Sequence, residues 1–585
     1  MEVRSCPNME AIVIDEDQDS NEEVVEFNQL RSLKLDGLPH LRSFRSKMKK
    51  APPGIESRHK QILTADEPAF EEFLSEELSL FNRMVSFPNL EDLRLDSVTC
   101  EKIWHDQLSA TYSNLKSLTV TSCDNLKDNT DEESIEEEDE RVNKIIFPKL
   151  DVLGLWFLPN LIRFCSGYQI EFQSLRDLDI LECGALMCLV PSVPHTDMMA
   201  KQVYTETNHN TEIQSLFNEM VAFSSLENLN LRQMNDMKSI WHSQFAADSF
   251  CKLKSLKISY CPKLMTVFPS NVLERFQRLE ELNVRNCNSL QEIYQLEGSN
   301  VIEAFELRKS IQSLPSLKHV WRKDPQGVFT FQNLKSVEVS NCDVLKNLFP
   351  ASIAESLLQL EKLTIIECGV EEIVAKPEDV EPAPYYCFKF PQLTSLELIE
   401  LSELRSFYPG THISEWQKLK SLNVRNCRKV MKFGWEEVHK QRQHNIPIQQ
   451  PLLLLDKMSP NLEELTLEHK DLIAIQNGQF SFQHFSKLKV LTLSNLQNIS
   501  QLFLIGFLKT VHYVKTIVVA SSNLEESFSC EGFTLVRNLE LFAVDNLKQI
   551  WDEDSRLKPV LQHLETLSVK CCNSLTNMVP LSSSF

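Results

Sequence analysis

Apolar and polar positions recur along the chain in the frame Leu-x-x-Leu-x-Leu, and we number each copy from its first leucine, which is offset zero. Offsets three and five are apolar and offset four is polar, as in Leu256, Lys257 and Ile258. Alternation with a period of two predicts a short strand with one buried face. Each copy is therefore predicted to contain one such strand, with offset four on the unburied face.

The frame recurs about eighteen times, mostly at steps of about 25 to 28 residues. The copies begin near positions 30, 90, 115, 150, 175, 226, 253, 279, 306, 334, 360, 393, 419, 462, 488, 514, 536 and 564. This consensus at a period of roughly 20–29 residues is typical of leucine-rich repeats, whose copies must stack to bury their apolar faces. The sequence thus predicts an α/β leucine-rich-repeat solenoid: a curved horseshoe with a parallel sheet on its concave face and loops and short helices on its convex face.

Three further positions follow the same frame. Cysteine occupies offset eight in copy after copy, where a small side chain can hydrogen-bond the turning backbone, so most of the sixteen cysteines are predicted to be free thiols inside the coils. An aromatic residue stands at offset minus three in thirteen of the eighteen copies, which predicts a stacked aromatic spine. Trp residues that close several copies are predicted to be core: Trp104, Trp241, Trp321 and Trp551.

The ends and the gaps in the period define the predicted organisation. Val3, Cys6 and Met9 fit the second half of a copy, so we expect one solenoid over residues 1–585 that is truncated at both ends. The period is broken by four stretches, which are expected to be insert loops: 42–86, 127–146, 187–222 and 431–461. Residues 131–140 include eight acidic side chains, which indicates a solvated loop or, alternatively, a contact for a basic partner.

Signals of catalysis and of cofactor binding are missing from the sequence. The thirteen glycines frame no phosphate-binding loop of the form G-x-x-x-x-G-K-S/T. No two Cys-x-x-Cys pairs have zinc spacing, and His439 and His444 lack a partner cluster. Ser, His and Asp residues form no recognisable catalytic motif. We therefore expect no catalytic residues, no cofactor, no metal site and no enzyme activity.

The formal net charge of −22 predicts repulsion of nucleic acid and of anionic lipid, and no basic patch offsets it. The longest apolar run, around 502–508, is far shorter than the roughly 20 residues of a membrane helix. The N-terminus lacks a signal-peptide core. These features predict a cytoplasmic protein with neither nucleic-acid binding nor membrane insertion.

A varied surface is the remaining candidate for function. Offset four faces the concave side, and its side chains are mixed in sign, as in a protein-binding surface, although a merely solvated face would look similar. Trp156 and Phe157 follow at offsets six and seven of one copy. Either one of the two rings is exposed and could anchor a partner, or both pack against the rest of the protein. The predicted partner-binding residues are Arg94, Trp156, Phe157, Lys257, Asn283, Glu338, Glu397 and Asn423.

Two segments carry a more specific resemblance: FQNLKSVEVSNCDVLKNLFPASIAESLLQLEKLTIIECGVEEIV, residues 331–374, and LPSLKHVWRKD, residues 314–324. They resemble the repeat region of plant disease-resistance receptors of the coiled-coil, nucleotide-binding, leucine-rich-repeat class. The resemblance implies an intracellular immune receptor in defence against pathogens. Its repeats would recognise a pathogen effector or a guarded host protein, and would restrain the receptor's nucleotide-binding domain. The coiled coil and phosphate loop of the family match no residue of this sequence.

Three alternatives remain. A solitary repeat scaffold, derived from a receptor without its signalling domain, would show the same repeats. An F-box-type substrate adaptor also uses cysteine-bearing repeats, but would carry an F-box before them, and none is seen. An extracellular receptor would need a signal peptide, paired-cysteine caps and many glycosylation acceptors, whereas the sequence has the single acceptor Asn498-Ile-Ser500.

Overall fold

The protein was analysed as a computed structural model, which forms two compact units, residues 1–297 and 298–585. We describe each unit by itself. The structure describes residues 1–15, 24–47, 79–82, 84–104, 113–127, 144–165, 169–191, 215–242, 244–246, 248–276, 278–295, 308–321, 334–377, 386–410, 412–434, 451–454, 461–477, 485–496, 501–511, 513–524, 528, 533, 536–551 and 562–577.

The described part of the first unit contains nine parallel strands of one main sheet, and each strand comes from one copy of the frame. Neighbours in sequence are neighbours in the sheet, and equal offsets lie side by side. The strands are Glu2–Arg4, Ser32–Leu38, Asp92–Val98, Ser117–Thr121, Val152–Trp156, Asp177–Leu181, Asn228–Arg232, Ser255–Ser259 and Glu281–Arg285.

The described part of the second unit repeats this arrangement with ten parallel strands. These are Arg308–Gln312, Ser336–Cys342, Lys362–Cys368, Ser395–Ile399, Ser421–Arg425, Glu464–Glu468, Val490–Ser494, Thr516–Ala520, Asn538–Phe542 and Thr566–Lys570. In both units offsets three and five are buried in nearly every copy, as at Leu256 and Ile258. The predicted leucine-rich-repeat solenoid is confirmed.

Short strands form two further sides of the coils. On the second side, after the main strand, lie Ala11–Asp15, Ser43–Lys47, Ser79–Phe81, Lys102–Trp104, Ser215–Phe217, Ser239–Trp241, Thr266–Phe268, Glu292–Tyr294, His319–Trp321, Phe349–Pro350, Val374–Ala375, Phe433–Gly434 and Leu453–Leu454. On the third side, before the next main strand, lie Val25–Glu26, Val85–Ser86, Lys144–Phe147, Gln169–Phe172, Val221–Phe223, Tyr386–Lys389 and His412–Glu415.

Helices are short among the described residues. We label them α1 (Ala351–Ser356), α2 (His469–Gln476) and α3 (Gln501–Thr510), and a 3₁₀ helix spans Ser270–Arg275. Most of the four predicted insert loops, including the acidic residues 131–140, lies outside the described residues. The described ends of these stretches include strands of the second side. Ser79–Phe81 and Ser215–Phe217 pair with the second-side strands of the following copies.

The aromatic spine and the cysteine position are both observed. Phe172 stacks between Phe147 and Phe223 with ring centroids 5.4 and 5.3 Å apart, and all three rings are buried. The thiol of Cys123 donates to the carbonyl of Thr121, two residues earlier, and the same bond recurs at offset eight in other copies. Trp241, Trp321 and Trp551 are core residues, whereas the side chain of Trp104 lies outside the described part.

Candidate functional site

One face of each main sheet is not covered by the coil interior, and we call it the open face. Because side chains alternate along a strand, offsets three and five enter the core while offsets two, four and six stand on the other face. The strand register then aligns equal offsets across the sheet. In the first unit the offset-four row is Lys34, Arg94, Thr119, Gly154, Asp179, Asn230, Lys257 and Asn283.

Three charged side chains of this row, Arg94, Asp179 and Lys257, form ion pairs within the first unit. Arg94 and Lys257 are exposed, and Asn283 is half-buried beside Lys257. Three ion pairs have nitrogen–oxygen distances of 3.1, 3.0 and 3.1 Å: Arg94 with Asp96, Arg232 with Asp179, and Lys257 with Glu281. All of these partners lie on the open face, so the ion pairs fix the positions of these charged side chains.

The strand Val152–Trp156 interrupts the polar row, because its open-face residues Val152, Gly154 and Trp156 are apolar. The indole of Trp156 lies over Gly154, because a Cβ atom at position 154 would come within 3.2 Å of Cε2 and Cζ2 of the ring. The indole Nε1 is buried and has no hydrogen-bond partner. Val152 is 37% exposed and Phe157 is 40% exposed, the latter in a left-handed turn with φ of 55°. Trp156 is therefore packed against the sheet, and Phe157 is the exposed aromatic residue.

The second unit brings the other three predicted residues onto its open face. Its offset-four row is Ser310, Glu338, Thr364, Glu397, Asn423, Thr466, Thr492, Val518, Glu540 and Ser568. Glu338, Glu397 and Asn423 are half-buried. Gln312 Nε2 donates to Glu338 at 2.8 Å, and Asn423 Nδ2 donates to Glu397 at 2.9 Å. The eight predicted residues thus form two groups, one in each unit.

A family model described as plant disease resistance protein RPS2-like, leucine-rich repeats, matches residues 225–369 and 461–584. The repeats in these two ranges are those of plant disease-resistance proteins. Among the eight predicted residues, Lys257, Asn283 and Glu338 lie within the matched ranges. A comparison with curated proteins gives no match.

Charged side chains also form a row at offset one, which the frame Leu-x-x-Leu-x-Leu alone does not predict. In the first unit the signs alternate along the row: Arg31, Glu91, Lys116, Asp151, Arg176, Glu227, Lys254 and Glu280. Lys116 Nζ lies 2.7 Å from Glu91, and Arg176 Nε lies 2.6 Å from Asp151. These hydrogen bonds hold the pKa of the Glu91 and Asp151 carboxyls below their usual range. The alternation in the sequence at steps of one repeat would have revealed this row.

The offset-one row borders a groove of about 560 Å³, whose lining includes Lys116, Lys149, Asp151, Arg176, Glu227 and Lys252. Arg176 bonds Asp151 within the groove, Lys116 bonds Glu91 beside it, and Glu227 bonds Lys254 beside it. Lys149 donates to Asn114 at 2.6 Å. The groove therefore runs beside the stacked charged residues of the offset-one row.

Most cysteines in the described part are buried inside the coils. All fifteen in the described part are free thiols. Burial raises the pKa of Cys123 to about 11 and that of Cys183 to about 12, so these thiols stay protonated at neutral pH. Within the described ranges, no three His, Cys, Asp or Glu side chains are grouped so that they could hold a metal ion. No described helix is both long and apolar enough to cross a membrane.

Proposed function

We propose that the open faces are protein-recognition surfaces, and that this chain is the sensor and autoinhibitory repeat region of an intracellular plant immune receptor. Leucine-rich repeats of the disease-resistance family are protein-interaction scaffolds in immunity, and the family match supports that general role. The proposed partners are a pathogen effector or a guarded host protein, together with the nucleotide-binding domain of a full-length receptor. The proposed location is the cytoplasm.

The observation that carries the proposal is the composition of the open face. Each main sheet presents rows of side chains that differ from copy to copy at offset four, while the buried offsets three and five are apolar except at Lys309. The exposed ring of Phe157, in the turn that follows the strand Val152–Trp156, supplies an apolar anchor of the kind that protein interfaces favour. Around it, charged residues such as Arg94 and Asp179 are held by ion pairs, which gives the surface a fixed electrostatic pattern.

Matched triple variants test this proposal. The face variant combines Phe157→Ala, Lys257→Ala and Glu397→Ala. The control variant combines Ile146→Ala, Lys389→Ala and Glu415→Ala, which lie on third-side strands and remove an apolar group, a lysine and a glutamate in the same way. Both variants keep the net charge of the wild-type chain.

The measurement is quantitative mass spectrometry of the plant proteins that each variant retains from leaf extract, relative to the wild-type chain. We expect specific proteins to be lost with the face variant and kept with the control variant. Loss with the control variant alone, or identical retention by both variants, would refute a binding role for the open face. Circular dichroism spectra of the three proteins should superimpose, because none of the six side chains is fully buried.

A further inference from the structure

Glu338, Thr364 and Glu397 lie side by side at offset four of three neighbouring strands. We call these three residues the acidic notch. Neighbouring parallel strands are about 4.8 Å apart, so the two glutamates flank the threonine on the open face of the second unit.

The two carboxylates of the acidic notch differ from the charged groups of the offset-four row in the first unit. Among the described residues, no lysine, arginine or histidine nitrogen lies within 4.0 Å of either Glu338 or Glu397. In the first unit, by contrast, Asp179 is bonded by Arg232. Each glutamate accepts one bond from a neutral amide, and a carboxylate offers about four acceptor positions. The notch therefore retains free acceptor capacity and uncompensated negative charge.

Thr364 provides an independent indication of an incomplete site. The residue is only 2% exposed, and its hydroxyl oxygen has no hydrogen-bond partner. Oδ1 of Asn423, the amide that holds Glu397, is also buried without a partner. Buried polar groups are normally hydrogen-bonded in native proteins, and their exceptions need an explanation. A donor that enters between the glutamates would complete the hydrogen bonding here.

The surroundings of the notch suit a long basic side chain. Ile366 and Ile399 stand at offset six of the strands that carry Thr364 and Glu397, and Ile399 is 7% exposed. An aliphatic stem can pack on these side chains while its charged end reaches the carboxylates. Lys362 and Arg425 are on the same face, and neither forms an ion pair with the two glutamates.

We propose that the acidic notch binds a protruding arginine or lysine side chain of a partner protein. The proposal rests on the recognition role of the open face and specifies the chemistry of one contact. Guanidinium and ammonium groups donate several charge-assisted hydrogen bonds at once, which matches two half-buried carboxylates and a neighbouring hydroxyl. Glu338 and Glu397 would contact the charged group directly.

Methyl NMR on the full chain, with isoleucine methyl groups labelled, tests the notch without any identified partner. The probe is N-acetyl-arginine methylamide, and its neutral isostere N-acetyl-citrulline methylamide is the control. We expect saturable shifts of the Ile366 and Ile399 signals with the arginine probe and none with the citrulline probe. Equal shifts with both probes, or no saturable shift at these two isoleucines, would overturn the proposal.

Matched variants separate the notch from the general acidity of the chain. Glu338→Gln with Glu397→Gln should weaken binding of the arginine probe by about tenfold, because both charged acceptors are lost. Glu415→Gln with Glu540→Gln removes the same charge elsewhere in the second unit and should change binding by less than about twofold. Equal weakening by both pairs would contradict a defined site. Failure here would leave the recognition role itself untouched, since the triple variants test that role separately.

Discussion

At the residue scale, the turn after each main strand depends on a left-handed backbone at offset seven. This position has positive φ in seventeen of the eighteen copies and in the partial copy at the N-terminus, and glycine fills it once, at Gly37. The other occupants are Ser5, Ser97, Ser122, Phe157, Glu182, Gln233, Tyr260, Asn286, Ser313, Asn341, Glu367, Glu400, Asn426, Asn495, Ser521, Ala543 and Cys571. None of these residues is β-branched, as expected for side chains forced into this region. The position is not evident from the sequence, because the residue types that occupy it differ in polarity.

Asn286 tests this turn. Asn286→Val should destabilise the chain by about 1–2 kcal/mol, because a β-branched side chain clashes in a left-handed backbone, whereas Asn286→Gly should be tolerated. Urea unfolding of the two variants measures the difference. Equal stability of the valine and glycine variants would contradict the turn conformation.

Neighbouring residues at offsets three and four test the register of the main sheet. Leu256 is fully buried, so Leu256→Ala should cost about 2–5 kcal/mol. Lys257 is exposed and paired with Glu281 at 3.1 Å, so Lys257→Ala should cost less than about 1 kcal/mol. Thermal unfolding followed by circular dichroism measures both. Similar losses in the two variants would mean that the assignment of faces is wrong.

Lys309 occupies offset three, a core position, beside Val337 of the next strand. Its ammonium lies 4.5 Å from the ring centroid of Trp321, and burial holds the pKa of Lys309 well below its usual range. The unfolded chain therefore binds more protons at this site than the folded chain does. Stability should accordingly rise with pH up to the ordinary lysine pKa near about 10.4.

Lys309→Met should raise the unfolding temperature at pH 7 and remove part of the rise in stability between pH 7 and 10, because no charge is then buried. Lys257→Met, at an exposed lysine, is the matched control and should change neither. Thermal unfolding at several pH values measures both effects. A lower unfolding temperature for Lys309→Met would show that the lysine stabilises its strand.

At the element scale, helix α2 replaces the left-handed turn in one copy. His469, at offset seven, begins the helix instead, and Glu468 and Asp471 form a capping box. Glu468 Oε1 accepts the backbone N–H of Asn426 at 2.6 Å, so a side chain substitutes for part of the strand pairing. Lys432 is buried under this helix and lies 2.6 Å from Asp471.

The Lys432–Asp471 pair should be coupled. Lys432→Met alone should cost about 3–5 kcal/mol, because it leaves the buried Asp471 carboxylate without its cation. Asp471→Leu alone should also destabilise the chain, because Lys432 then keeps only Glu468, at 3.8 Å, and the bond from the Glu468 N–H is lost. The double variant should cost clearly less than the sum of the two. A double-mutant cycle by urea unfolding measures the coupling, and additive costs would contradict it.

The sequence predicts the main strands well and the remaining elements poorly. Offsets three and five alternate in nearly every copy, so the register of residues such as Leu256 follows directly. The second- and third-side strands are mostly two to five residues long, too short for a periodic signal. Helix α3 was not predicted either, because its sequence QLFLIGFLKT is apolar almost throughout and shows no clear face.

At the scale of the whole molecule, the family and the faces of the candidate surface were predictable, but the contacts on it were not. Repeat consensus and family resemblance depend on residues within about 30 positions of each other. Apart from Arg94 with Asp96, the ion pairs and hydrogen bonds described on the open face join residues from different copies, as between Asp179 and Arg232 or Gln312 and Glu338. Only the stacking of the coils brings these partners together.

The central claim is that this chain contacts its partners through the open faces of its main sheets. Photo-cross-linking tests it most directly. Benzoylphenylalanine replaces Ile366 on an open face or Phe157 in the turn that borders an open face, and Ile146 or Leu358 elsewhere. Phe157, Ile146 and Leu358 have similar exposure, 40%, 37% and 39%, and Ile366 is half-buried. We expect partner adducts, in plant cells, from position 157, position 366 or both, and from neither of the others. Adducts from position 146 or 358 without any from 157 and 366 would contradict the claim.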